Sequence, residues 1–147
     1  MRKTTWGECA IVPMNIDFII LAAGKGTRMG SNSPKVLANL AGKPMIQHLI
    51  DTVETFPKAK TAVIVGHKAK EVQNSISSGK KLNYVIQKNQ LGTAHAVKQA
   101  TPFLRKNSVS VVLYGDAPLV TRKTLSKLVN SASSGKLALL TYKKEDS

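Results

Sequence analysis

Six successive apolar side chains run from Phe18 to Ala23, directly after Asp17. The run lacks the alternation of a half-exposed strand and the length of a helix, so "DFIILAA" predicts a strand covered on both faces. Past Pro44 the period changes. Met45, Ile46, Leu49, Ile50 and Val53 recur at helical spacing, and Pro44 suits the first helical turn, where a backbone N–H has no partner to lose. The same alternation of patterns continues. "TAVIVG" (61–66), "LNYVIQ" (82–87), "VSVVLYGD" (109–116) and "LALLTY" (137–142) predict strands. "AKEVQNSI" (69–76) predicts a helix, "GTAHAVKQATPFL" (92–104) contains one, and "TRKTLSKLVNSA" (121–132) carries a Leu125, Leu128 and Val129 stripe.

Strands and helices in strict alternation with short connections predict an α/β fold, a mostly parallel sheet with helices on both faces. Ligands of such sheets sit beyond the carboxyl ends of the strands. The Ser, Asn, Gly and Lys groups at 74–81 and 130–136 read as loops, and there is no internal repeat. The chain stops at "TYKKEDS", directly after the last predicted strand, where this architecture would continue into a further helix. The expected organisation is therefore an N-terminal extension, 1–14, and an incomplete domain, 15–147, truncated on its C-terminal side.

At 147 residues the chain has the length of one domain. Its 22 basic and 8 acidic residues give a net charge of +14, which raises the question of a polyanionic partner. The excess is spread along the chain without a basic tail, and seven aromatic residues in all offer no alternation with basic ones of the kind that stacks bases. The charge therefore reads as a generally basic surface, with no nucleic acid partner. Cys9 is the single cysteine and fits a reducing compartment. Arg2 and Lys3 precede an apolar stretch that imitates a leader, but Asn15 and Asp17 interrupt it and the remaining run is far too short to cross a bilayer. These features predict a cytoplasmic protein without a membrane partner.

The stretch after the first strand, "LAAGKGTRMGSNSPK" (21–35), combines glycines with Lys25, Arg28 and Lys35. It is not a P-loop, because neither Gly24 nor Gly26 begins G-x-x-x-x-G-K-[ST]. It is not a dinucleotide fingerprint either: Met29 stands at the third glycine position, and the second strand ends in "VGHK" with no acid. What remains is a loop whose glycines let backbone N–H groups approach an anion beside neutralising cations, or else a solvated turn.

Later segments bear on that choice. "LAAGKGTRMGSNSPKVL" resembles the signature loop of the sugar-1-phosphate nucleotidyltransferases, and "AGKPMIQHLID" continues as that family does. "QKNQLGTAHAV" (87–97) and "LYGDAPLV" (113–120) are similar to the segments of its uridyltransferase branch acting on N-acetylglucosamine 1-phosphate, in which a β-helical acetyltransferase domain usually follows. The resemblance runs from about Ile16 to Tyr142 and implies a Rossmann-like nucleotidyltransferase fold. It implies transfer of a uridylyl group from UTP to N-acetylglucosamine 1-phosphate, with Mg²⁺ as cofactor and roles in cell wall precursor synthesis.

By the same resemblance, Leu21, Ala22, Ala23 and Gly24 would contact the nucleotide through their backbone, and Lys25, Gly26, Thr27 and Arg28 would surround its β- and γ-phosphates. Lys35 would reach the phosphates at the reacting centre, so Arg28 and Lys35 stand as the catalytic candidates. Gln87, Gln90, Gly92 and Thr93 would form the base pocket, Tyr114 and Gly115 would lie beside the sugar phosphate, and Asp116 would hold the metal. The chemistry of these side chains suits the roles. A guanidinium fork and an ammonium match phosphate oxygens, a carboxylate matches a hard cation, and a carboxamide can donate and accept at a pyrimidine edge. His48, His67 and His95 read as packed or surface histidines, since no pair has metal spacing. The sugar-selecting residues and a second metal ligand would lie beyond Ser147. Transfer to another sugar phosphate and a non-catalytic UTP-binding or regulatory module therefore stay open, as does association with further copies.

Overall fold

The computed structural model describes residues 15–24 and 33–141. The first strand, β1 (Asn15–Ala22), is followed by a short 3-10 turn, Lys35–Leu37, and a two-residue hairpin, β2 (Asn39–Leu40) and β3 (Lys43–Pro44). Helix α1 (Met45–Glu54), strand β4 (Lys60–Val65), helix α2 (Ala69–Asn74) and strand β5 (Leu82–Ile86) come next. Helix α3 (Thr93–Ala100), strand β6 (Ser108–Tyr114) and helix α4 (Arg122–Ser133) complete the order. The hairpin was not expected from the sequence. Its turn places Ala41 and Gly42 at positive φ, and Asn39 Oδ1 accepts from the Gly42 N–H. Pro44 consequently precedes the first turn of α1 instead of occupying it.

Strands β5, β4, β1 and β6 form one sheet in that order, and every pairing is parallel. β1 lies inside the sheet, which explains why its apolar run is continuous: Phe18, Ile19 and Ile20 are fully buried. The two faces have separate cores. Phe18, Ile20, Val63, Val65, Val111 and Leu113 meet α1, α2 and α4 through Ile46, Leu49, Ile50, Val72, Leu125 and Val129. Ile19, Ala62, Ile64 and Val85 meet Ala96 and Ala100 of α3. The predicted parallel sheet with helices on both faces is thus present, more thickly covered on one side. On the thin side Val112 and Tyr114 of β6 remain exposed.

The expected strand at 137–142 does not form in 137–141, and Tyr142 lies outside the described residues. Leu137, Leu139 and Leu140 are exposed, beside a shallow groove along Thr124, Lys127 and Leu128 of α4. Strand propensity acts through cross-strand neighbours, and this segment pairs with none. The N-terminal extension 1–14 and Cys9 also fall outside the described residues. No helix among the described residues is long and apolar enough to cross a membrane.

A buried ion pair locks the far end of the sheet from the cavity described below. Asp17 on β1 is 1% exposed and sits between the α3–β6 connection and its own strand. Its Oδ1 accepts from Arg105 Nε at 2.8 Å, and its Oδ2 accepts from the Arg105 backbone N–H at 2.7 Å and from Ser108 Oγ at 2.6 Å. Arg105 also donates to the Ile16 and Lys58 carbonyls and to Asn15 Oδ1, so one guanidinium ties the α3–β6 connection to β1 and to the α1–β4 connection.

Candidate active site

The chain passes from β1 outward to β4 and β5 and then returns to place β6 on the other side of β1. That reversal is a topological switch point, where the connections leaving β1 and β6 part and open a crevice at their carboxyl ends. A cavity of about 370 Å³ occupies it, within the range of small-ligand sites.

Each wall follows from local structure. Leu21, Ala23 and Gly24 come from the exit of β1. Tyr114 and Asp116 come from the exit of β6, where the Ala117 N–H donates to the Tyr114 carbonyl and closes the turn that carries the carboxylate. Gln87 leaves β5 with its N–H on the Val65 carbonyl at 2.8 Å, and is itself buried. Gln90 Nε2 donates to the Ala23 carbonyl at 2.7 Å, so this side chain ties the β5–α3 connection to the β1 exit. Gly92, at φ +95°, turns the chain into α3, a conformation that costs glycine nothing. Thr93 and Ala96 then extend the wall along the helix.

Lys35 follows Pro34 at the start of the 3-10 turn, and its Nζ lies 2.7 Å from Asp116 Oδ2. Both side chains are partly exposed, so solvent screens the pair and its stabilising worth is small. Its position is the informative part: a cation and a carboxylate face the same cavity as two carboxamides. Ten of the twelve described residues singled out from the sequence line it, and Ala22 and Gly115 brace it from behind. The Gly115 N–H donates to the Leu21 carbonyl at 2.9 Å and pins β6 to β1. Lys25, Gly26, Thr27 and Arg28 lie outside the described residues. Val36 and Ala96 were not foreseen as lining residues, because small apolar side chains carry no chemical signal in a sequence.

Gly115 has no room for a side chain. A Cβ there would stand 2.9 Å from the Leu21 carbonyl oxygen and 3.0 Å from Val36 Cγ1. Gly115→Ala is therefore expected to cost about 1–3 kcal/mol through forced backbone movement, measured by denaturant unfolding. An unchanged midpoint would mean that the two strand exits separate freely.

Crevice, carboxamides and the cation–carboxylate pair together describe a nucleotide-handling α/β domain. The chain belongs to the MobA-like NTP transferase domain family, whose pattern matches residues 18–147. It is 47% identical over 133 residues to the "Bifunctional protein GlmU" of Nitrosomonas eutropha, covering 90% of this chain and 29% of that protein. The protein of the same name from Albidiferax ferrireducens is 48% identical over 132 residues, with 86% and 28% covered. The chain thus spans less than a third of the length of these relatives. Among solved structures, HddC from Yersinia pseudotuberculosis in complex with GMP-PN superposes with a TM-score of 0.67 at 26% identity, over 79% of this chain and 53% of that one. A homologue of Rv0371c from Mycobacterium sp. strain JC1 superposes at 0.68 with 24% identity, covering 80% and 59%, and shows the same fold.

Proposed function

We propose that this domain binds UTP and supports transfer of its uridylyl group to N-acetylglucosamine 1-phosphate, releasing pyrophosphate. The observation that carries the reading is the single cavity that joins Gln87 and Gln90 to Lys35 and Asp116. Family membership and the likeness to the GlmU proteins support it. In the reaction a phosphate oxygen of the sugar phosphate attacks the α-phosphorus of UTP, the α–β bridging bond breaks, and its electron pair leaves with pyrophosphate. Little covalent work falls to the protein; it aligns the attacking and leaving oxygens and neutralises charge.

Gln87, Gln90, Gly92 and Thr93 bound the base end of the pocket, and the backbone from Leu21 to Gly24 borders the nucleotide. Lys25, Gly26, Thr27 and Arg28 surround the β- and γ-phosphates, Lys25 and Arg28 supplying the neutralising charge. Lys35 acts beside Arg28 at the reacting phosphates, while Tyr114 and Gly115 flank the sugar phosphate. Asp116 offers hard oxygen donors that fit Mg²⁺, and no group of three acidic, histidine or cysteine side chains occurs among the described residues. Phosphate oxygens, water and a further protein ligand beyond Ser147 would complete the shell of such an ion. When bound, the metal supplies charge neutralisation at the phosphates.

The test is pyrophosphate release from UTP, Mg²⁺ and N-acetylglucosamine 1-phosphate, with the sugar phosphate omitted as control. Sugar-phosphate-dependent release is expected. UTP binding without release would make this chain a binding module. UTP is also expected to outcompete CTP by about tenfold or more, because exchanging a carbonyl acceptor for an amino donor mispairs buried groups. Equal competition would remove the base pocket from this reading.

A further inference from the structure

His95 stands on α3, one turn beyond Gly92, and both its ring nitrogens face carboxamides. Gln87 Nε2 lies 3.0 Å from His95 Nδ1 and also donates to the Gly92 carbonyl oxygen at 3.3 Å. A carbonyl oxygen can only accept, so the end of the Gln87 amide between these two partners is its NH₂ group. An NH₂ group can only donate here, so Nδ1 of His95 carries no proton. In a neutral imidazole the proton then resides on Nε2. Gln99 Nε2, four residues further along the same helix face, lies 3.1 Å from that nitrogen, so the amide as placed sets one donor against another. It must turn its oxygen toward Nε2–H, a half-turn of an amide whose two ends are nearly identical in size.

The network leaves one atom over. Gln87 Oε1 has no hydrogen-bond partner among the described residues, yet no fully enclosed side-chain oxygen or nitrogen among them lacks one. Gln87 is only 4% exposed and lines the cavity, so this oxygen is open to the cavity. Its amide cannot rotate without setting oxygen against the Gly92 carbonyl and against the lone pair of His95 Nδ1. The pocket therefore presents a fixed acceptor. A fixed acceptor pairs with the ring N–H of a uracil-type base and opposes the lone pair at the same ring position of cytosine.

We propose that His95 is a positioning residue for base selection: held in the Nε2–H form by Gln99, it fixes the Gln87 amide so that its oxygen faces the base. This deepens the function proposed above and rests on it. Three readouts decide the matter. In ligand-free ¹⁵N-labelled protein, nitrogen shifts should show His95 Nδ1 unprotonated and Nε2 protonated in the neutral ring; the opposite tautomer overturns the network whatever the ligand. In competition binding, His95→Phe is expected to reduce the UTP-over-CTP preference by about tenfold, the worth of one lost discriminating hydrogen bond. His95→Asn, whose Oδ1 can accept near the position of Nδ1, is expected to restore most of that preference. A merely structural histidine would weaken both nucleotides alike and would show no such rescue, and that result overturns the proposal. Wild-type protein that binds neither nucleotide overturns the function itself and this inference with it. A UTP preference that survives in His95→Phe removes only the role of His95.

Discussion

Asp116→Asn is expected to weaken Mg²⁺ binding to the UTP-loaded protein by at least about 100-fold, because it removes the cavity carboxylate proposed to hold the ion. The wild type is expected to bind Mg²⁺ weakly alone and tightly only with UTP, whose phosphates complete the shell. Lys35 makes the coupling sharper. Its Nζ is held 2.7 Å from Asp116 Oδ2, and a metal held by that carboxylate would free the ammonium for a phosphate. Metal and nucleotide then raise each other's affinity by the same factor, as linkage requires. Metal-free UTP affinity in Asp116→Asn is expected within about fivefold of wild type, because an exposed ion pair is worth about 0–1 kcal/mol and the lost carboxylate no longer repels phosphate. Calorimetric titration of Mg²⁺ with and without UTP reads both effects. Identical curves for the two proteins in the presence of UTP would make Asp116 a turn residue only.

Asp17→Ala is expected to lower the unfolding free energy by about 3–5 kcal/mol, since it leaves the Arg105 guanidinium half-buried against carbonyls without its counter-charge. Urea unfolding measures the loss. Arg105→Ala in the same background should add little further, the two changes removing one network. The pair also sets a pH dependence. Burial works to raise the Asp17 pKa, but the hydrogen bonds from the Arg105 side chain and backbone and from Ser108, with the guanidinium charge, outweigh it and hold the carboxyl below the usual range. A depressed folded-state pKa contributes stability that is complete above the ordinary carboxylate value of about 3.9 and fades as pH falls through the folded one. Asp17→Asn should therefore lose stability chiefly at neutral pH and approach wild type in acid. A constant difference from pH 7 to pH 2 would contradict the assignment.

Where packing is uniform, local pattern was enough. The unbroken run at β1 is apolar because helices cover both faces of that strand, and the stripe of α1 is apolar on one side because only that side meets the sheet. Each pattern is the local imprint of its own burial, so the fold class and the alternation of strands and helices could be anticipated from it, but not which strands are neighbours in the sheet. The similarly apolar 137–141 has no partner strand among the described residues, and composition does not report whether a partner exists.

For the site, the sequence by itself determined the chemical inventory: glycines, cations, a carboxylate and carboxamides at the ends of predicted strands. Only the tertiary structure decided how they are joined. Residues as far apart as Lys35 and Asp116 become a pair because β1 and β6 are neighbours in the sheet. His95, unremarkable as one histidine on a helix, acquires its place because β5 delivers Gln87 to its Nδ1 and the helical turn delivers Gln99 to its Nε2. Hydrogen-bond direction depends on what faces each atom across long sequence separations, and no local window of the chain contains that information.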